Sequence, residues 1–253
     1  MNYENIQHPT FTDKRPSVWP SELEVEWSTL NVFPIIMKGL FITFEGTEGC
    51  GKSTQIALLA ERLSALGRQV RTLREPGGTP IGEEIRHTLK HSEHNHAMTA
   101  EAELLLMNAS RAQLVREVIR PALADGEVVL CDRFYDSTTA YQGYGRELDL
   151  EKVKSVIEFA VGETKPDLTL FLHVPAEVSA DRLRLRQSAL PMVRDRIEAA
   201  DRKFFERVAH GYGVIVAGEP QRVKFVNGAQ PVAAVCAQIW EVVQPLVPKV
   251  GRW

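Results

Sequence analysis

One stretch of eight residues limits what this chain can be. Gly46-Thr47-Glu48-Gly49-Cys50-Gly51-Lys52-Ser53 satisfies the pattern G-x-x-x-x-G-K-[ST] in full. Ahead of it lies Leu40-Phe-Ile-Thr-Phe-Glu45, a nearly continuous apolar run of strand length. Behind it Ile56, Leu59, Leu63 and Leu66 recur at helical spacing, and Gly67 follows as a C-terminal cap. In a strand, turn and helix of this kind, glycines let successive backbone N–H groups turn inward around phosphate oxygens, and the helix N-terminus adds partial positive charge. Lys52 then reaches the β- and γ-phosphates, Ser53 can ligate Mg²⁺, and Thr54 extends the cradle into the helix. The chain is expected to bind a nucleoside triphosphate.

The rest of the pattern repeats this alternation. Strands are expected at Val70–Arg74, Glu127–Cys131, Leu168–Val174 and Arg222–Val226. Helices are expected at about 81–91, 99–124, 149–161, 176–187, 196–210 and 230–246. Val214–Ala217 also reads as a strand, but Arg222–Val226 is favoured as the last one because a loop and a final helix follow it. Strands separated by helices imply crossover connections, hence an α/β, three-layer fold: a parallel sheet of about five strands with helices on both faces. The domain is expected to span 39–248. Residues 1–38 carry Pro9, Pro16, Pro20 and Pro34 without helical or strand period, and read as an irregular extension. Met37 sits directly before the first element and could serve as an alternative start.

Composition narrows the partners. Thirty basic against 33 acidic side chains give a net charge of −3, without the basic surplus of a duplex-binding protein, so nucleic acid is not an expected partner. No apolar run approaches the ~20 residues of a membrane span. Cys50, Cys131 and Cys236, widely spaced and odd in number, point to a reducing cytoplasm. The run His91-Ser-Glu-His-Asn-His96 reads as a polar helix end and loop rather than a metal site, since no further ligands cluster nearby.

The acceptor of the phosphoryl group is suggested by three segments at strand ends, where an open parallel sheet places ligands. They are Arg74-Glu-Pro-Gly-Gly-Thr79, Arg111 in a long helix, and Cys131-Asp132-Arg133-Phe134 followed by Ala140-Tyr-Gln-Gly143. Each brings an arginine, the forked donor an acceptor phosphate needs. The guanine-reading Asn-Lys-x-Asp is absent, and no apolar strand ends in Asp-Glu, which favours transfer to an acceptor over a motor or switch.

Taken in order, Glu45-Gly-Thr-Glu-Gly-Cys-Gly-Lys-Ser53, Arg-Glu-Pro-Gly-Gly-Thr, Asp-Arg-Phe and Ala-Tyr-Gln-Gly resemble the thymidylate kinases over roughly 37–247. The resemblance implies ATP-dependent phosphorylation of dTMP to dTDP, Mg²⁺ dependence and a homodimer. It implies that Arg74 and Arg133 hold the dTMP phosphate, that Arg111 hydrogen-bonds the thymine carbonyl, and that Met107 packs on the base. Thr138 and Gln142 would line the nucleotide, Tyr141 would exclude a 2′-hydroxyl, and Glu48 would approach the 3′-hydroxyl. Asp132, with Ser53, would hold Mg²⁺, partly through water. A related deoxynucleoside kinase would have no use for Arg74. A binding module that had lost catalysis would not retain Lys52, Ser53, Asp132 and Arg133.

A short arginine-rich lid is expected at about 182–196, where Arg182, Arg184, Arg186, Arg194 and Arg196 fall within 15 residues. One branch of the family carries a basic residue inside the phosphate loop; here that position is Gly49, so the lid must supply the charge. Arg186 is the expected catalytic arginine beside Lys52, Arg133 and Asp132, with Arg182 on ATP. The chain departs from the family pattern at Met107 (usually aromatic), His173 (often aspartate, here read as a neutral structural histidine), Asn227-Gly228 near the adenine pocket, and a lid longer around Ser188–Val193.

Overall fold

The computed structural model describes residues 38–189, 196–197 and 200–247, so the expected extension at 1–38 lies, apart from Lys38, outside the described residues. Five strands form one parallel sheet: β1 (Leu40–Glu45), β2 (Val70–Arg74), β3 (Val128–Asp132), β4 (Leu168–His173) and β5 (Val223–Asn227), in the order β2-β3-β1-β4-β5. β3 and β5 are displaced by one residue from the sequence reading, and β4 ends one residue sooner.

Alternation along β1 explains the layers. Ile42 and Phe44 belong to a core completed by Ile56, Leu59 and Leu63 of α1 (Lys52–Ala65) and by Val235, Ile239 and Val243 of α9 (Val232–Val243). Phe41 belongs to the opposite core, with Leu104 and Leu114 of α3 (Ala100–Leu114) and Val153, Ile157 and Val161 of α6 (Leu150–Val161). Successive strand side chains face opposite ways, so a strand buried on both faces must be apolar throughout. Phe41 is fully buried, and burying a side chain of this size contributes about 1.5–3 kcal/mol.

Helix ends follow local chemistry. The N–H of Gly67 (φ 79) bonds to Ser64 O at 2.9 Å and that of Arg68 to Leu63 O at 3.1 Å, the Schellman pattern that a left-handed glycine permits. Thr79 caps α2 (Pro80–His91), its Oγ1 accepting from the Gly82 N–H at 2.9 Å. The polar run at 91–96 is the end of α2 and the start of a 3₁₀ turn, Asn95–Ala97. The long helix expected at 99–124 is interrupted. α3 passes through a π segment, Val115–Ile119, into α4 (Arg120–Ala124), whose second residue is Pro121. The interruption gives the backbone room for a proline that cannot donate to the helical ladder.

The helix before β5 corrects the sequence reading most. α8 runs over Arg202–Gly218, later than the expected 196–210, because the Asp201 carboxylate accepts from the Phe204 N–H at 2.8 Å and fixes the start. Its buried face, Phe204, Val208, Gly211 and Tyr212, keeps helical spacing past the expected end. Val214–Ala217 is therefore helix, its apolar content notwithstanding.

Candidate active site

The donor half of the site is backbone. Gly46, Gly49 and Gly51 take φ of 135°, 72° and 101°, values that side chains resist. A Cβ at Gly46 would lie 2.3 Å from the Leu172 carbonyl oxygen. Gly51, left-handed, leads into α1 with no side chain to cap it, so the first N–H groups of the helix stay available to an anion. Lys52 Nζ donates to the carbonyls of Gly46 and Thr47, each at 3.2 Å, and stands 3.9 Å from Asp132 Oδ1. Ser53 Oγ donates to Asp132 Oδ2 at 3.3 Å, and Ser53 and Thr54 are exposed on the open side of the loop. Cys50 is buried, its Sγ 3.8 Å from Lys52 Nζ.

The register of the sheet brings the acceptor half alongside. Phe44 and Arg74 both pair with Asp132, so the ends of β1, β2 and β3 share one edge. Three arginines gather there in three different settings. Arg74 is half-exposed and gives both oxygens of Glu83 a hydrogen bond from Nη2, at 2.9 and 3.0 Å. The Glu83 carboxyl lies below its usual range, first because the Gly78 N–H bonds to it and then through Arg74. Arg111 is buried and pairs with Glu75 at 2.7 Å, with further bonds to Asn108 Oδ1 at 2.8 Å and the Phe134 carbonyl at 3.2 Å. Burial pushes the Glu75 carboxyl up to about 7 despite Arg111.

Arg133 is half-buried, and its φ of 71° is left-handed for a non-glycine residue. Its Nη1 donates to Ser137 Oγ at 3.0 Å and the Tyr212 hydroxyl at 3.4 Å, its Nη2 to the Tyr141 hydroxyl at 3.3 Å. These hydrogen bonds all go to hydroxyls, and the guanidinium also lies over the Tyr141 ring, 5.0 Å from its centre. Thr138, Tyr141 and Gln142 are buried along α5 (Tyr135–Thr138) and the π segment Thr139–Gly145, while Met107 is half-buried on α3. Gln142 Nε2 donates to Glu103 Oε1 at 2.8 Å. Burial raises the Tyr141 hydroxyl pKa, with Arg133 opposing the shift and Glu48 adding to it.

Helix α7 (Ala176–Ala189), which overlaps the segment expected to form the lid, contacts the phosphate loop. Ser179 Oγ donates to the Glu48 carbonyl at 2.6 Å. Arg182 spans the carbonyls of Gly49 (3.3 Å) and Gly228 (3.0 Å), so here it ties two loops together rather than reaching over the cradle. Arg184 is exposed and pairs with Asp181. Arg196 is drawn away to Glu103 and the Met98 carbonyl. Arg186 belongs to α7, but its side chain, like Arg194, lies outside the described residues. His173 is exposed, its ring 5.7 Å from that of Phe225, and its carbonyl accepts from the Gly228 N–H at 2.8 Å.

The sequence reading assigned no role to Glu45. It is fully buried, and its carboxylate accepts from the Phe134 N–H (2.8 Å), the Ser137 N–H (3.3 Å), Ser137 Oγ (2.5 Å) and the Tyr212 hydroxyl (2.8 Å). A charged residue ending an apolar strand was the available signal, because a carboxylate taken out of water needs partners. Among the described residues no helix is long and apolar enough to cross a membrane.

A backbone-lined cradle, a lysine and a strand-end aspartate beside it, and an arginine cluster on the same edge define a P-loop phosphotransferase of the nucleoside monophosphate kinase class. The thymidylate kinase family model matches residues 44–239. Thymidylate kinase of Chlorobium luteolum is 47% identical over 204 residues, 78% of this chain and 94% of the relative. That of Synechococcus sp. (strain JA-2-3B'a(2-13)) is 46% identical over 209 residues, 83% of this chain and 96% of the relative. The crystal structure of thymidylate kinase from Ehrlichia chaffeensis superposes with a TM-score of 0.66 at 31% identity, covering 82% of this chain and all of that one. The chain belongs to the thymidylate kinase family.

Proposed function

We propose that this chain carries out its family's reaction with Lys52 and a lid arginine on the migrating phosphoryl group and Arg133 on the acceptor phosphate. Family membership gives the reaction itself: ATP-dependent phosphorylation of dTMP to dTDP, a supply step for DNA synthesis. The observation that carries the assignment of roles is the setting of Arg133. A fixed guanidinium whose hydrogen bonds go to hydroxyls keeps its positive charge for an incoming dianion. Arg74 would join it on leaving Glu83, Arg111 and Met107 would meet the base, and Thr138, Tyr141, Gln142 and Glu48 would line the sugar.

Phosphoryl transfer is mostly positioning and charge stabilisation, so the protein's task is to bring donor and acceptor in line and keep water out. Lys52 would leave the Gly46 and Thr47 carbonyls for the β- and γ-phosphates. Ser53 Oγ and Asp132, hard oxygens 3.3 Å apart at the open side of the loop, suit Mg²⁺. Mg²⁺, when bound, neutralises charge on the phosphates. Arg186 is the lid arginine we assign to the transition state, with Arg182 behind it on the donor side. We place the reaction in the cytoplasm and the chain in a homodimer. Leu105 (58% exposed) on α3 and Phe159 (85%) on α6 are apolar side chains that a second copy would cover.

An ADP-release assay across nucleoside monophosphates tests the acceptor: dTMP should outpace dCMP, dGMP and UMP, and equal rates would overturn the specificity. Arg186→Ala should lower kcat far more than it raises the KM for dTMP; the reverse would move that arginine to substrate binding.

A further inference from the structure

Glu45 directly precedes the cradle and reaches Arg133 through hydroxyls: both groups that hold Arg133 Nη1 are themselves held by Glu45. Its Oε2 accepts from Ser137 Oγ at 2.5 Å and from the Tyr212 hydroxyl at 2.8 Å, and those two hydroxyls stand 3.0 Å apart. A hydroxyl has one proton to give. Spent on a carboxylate, it leaves only lone pairs facing the other way, and there Arg133 Nη1 donates to both oxygens, at 3.0 and 3.4 Å. The direction of each bond is fixed by the carboxylate behind it.

The contrast with the neighbouring arginines gives this arrangement its meaning. Arg74 and Arg111 meet carboxyl groups directly, at 2.9 and 2.7 Å, which close their forks. Arg133 meets its carboxylate one hydroxyl removed. The charge is near enough to hold a partly buried guanidinium and its left-handed backbone in place, but the fork is not closed by an anion. The three groups come from separate parts of the chain. Glu45 ends β1, Ser137 sits in α5, and Tyr212 projects from α8 with its ring stacked on Phe171 at 4.8 Å. The same carboxylate also accepts from the Phe134 and Ser137 N–H groups, so it anchors the turn that carries Arg133.

We propose that Glu45, acting through the Tyr212 and Ser137 hydroxyls, positions Arg133 for the acceptor phosphate, which makes Glu45 and Tyr212 positioning residues of this kinase. The inference rests on the reading of Arg133 given above.

Initial rates with dTMP and ATP varied separately, together with thermal unfolding, test it. Tyr212→Phe removes one oxygen and should raise the KM for dTMP about tenfold, the scale of a lost hydrogen bond to a charged group. The KM for ATP and the unfolding midpoint should barely move. Ser137→Ala should act in the same sense, and Ser137→Thr, which keeps the hydroxyl, should restore wild-type kinetics. In an Arg133→Ala background, Tyr212→Phe should cost nothing more. Three results would overturn the proposal: a Tyr212→Phe enzyme with wild-type dTMP kinetics, one in which both KM values rise together, or a further loss in the Arg133→Ala background. Arg133→Ala with an unchanged KM for dTMP would instead sink the reading of Arg133 itself, leaving the cradle untouched.

Discussion

The two halves of the active site are built by opposite means. The proposed donor half is eight consecutive residues whose backbone would do the binding, shaped by glycines in the left-handed region. The proposed acceptor half is assembled from side chains on β2, α3, the turn after β3, α5 and the π segment Thr139–Gly145. Its three arginines differ in the groups that face them: Glu83 at the surface for Arg74, Glu75 in the interior for Arg111, and hydroxyls backed by Glu45 for Arg133. The difference teaches that an arginine's type and place do not set its task. What faces it decides whether it holds the protein or a ligand.

Mutations can separate the halves. Lys52→Ala should lower kcat the most, about 10²–10³-fold, the scale of removing one transition-state donor, while leaving the KM for dTMP within about threefold. A risen KM at intact kcat would erase the division. Arg133→Ala should reduce kcat/KM for dTMP by about 10²-fold, as expected for a charge-assisted pair, with the KM for ATP steady.

The interior pair should reveal itself through pH. Folded Glu75 titrates at about 7 rather than its ordinary 4.5. It therefore keeps its proton where the unfolded carboxyl has lost it, and its contribution to stability is full below about 4.5 and drains away as pH rises towards 7. A glutamine cannot titrate. Between about pH 5 and 8 the wild type should lose stability relative to Glu75→Gln by on the order of 1–3 kcal/mol in denaturant melts; parallel curves would refute the shift. The surface pair should matter least. Glu83→Gln should cost under ~1 kcal/mol of stability, because exposed ion pairs contribute little, and a larger loss would make that pair structural.

The same contrast explains what was legible in advance. The cradle was readable because it is local: spacing, glycines and the strand before it lie within fifteen residues, and β1 and β2 fell where the apolar runs placed them. The arginines were found, but their partners were not. Glu75 and Glu83 follow Arg74 closely, yet only the fold shows that one turns inward to Arg111 and the other outward to Arg74. Glu45 and Tyr212 are 167 residues apart, and no local pattern connects them. α8 was misplaced because the Asp201 cap was overlooked and its apolar end has strand-like composition.

β1 has one further consequence. It is paired on both edges, by β3 and β4, and all six of its residues are buried, so its amides can exchange with solvent only when the whole sheet opens. The phosphate loop begins at its last residue. A nucleotide held by that loop is lost whenever β1 unfolds, so at a hundredfold excess over its dissociation constant it would add about 2.7 kcal/mol to the cost of global opening. Nucleotide supply would then govern how long each copy survives proteolysis, and the chain should turn over fastest in cells that have run short of its own substrate.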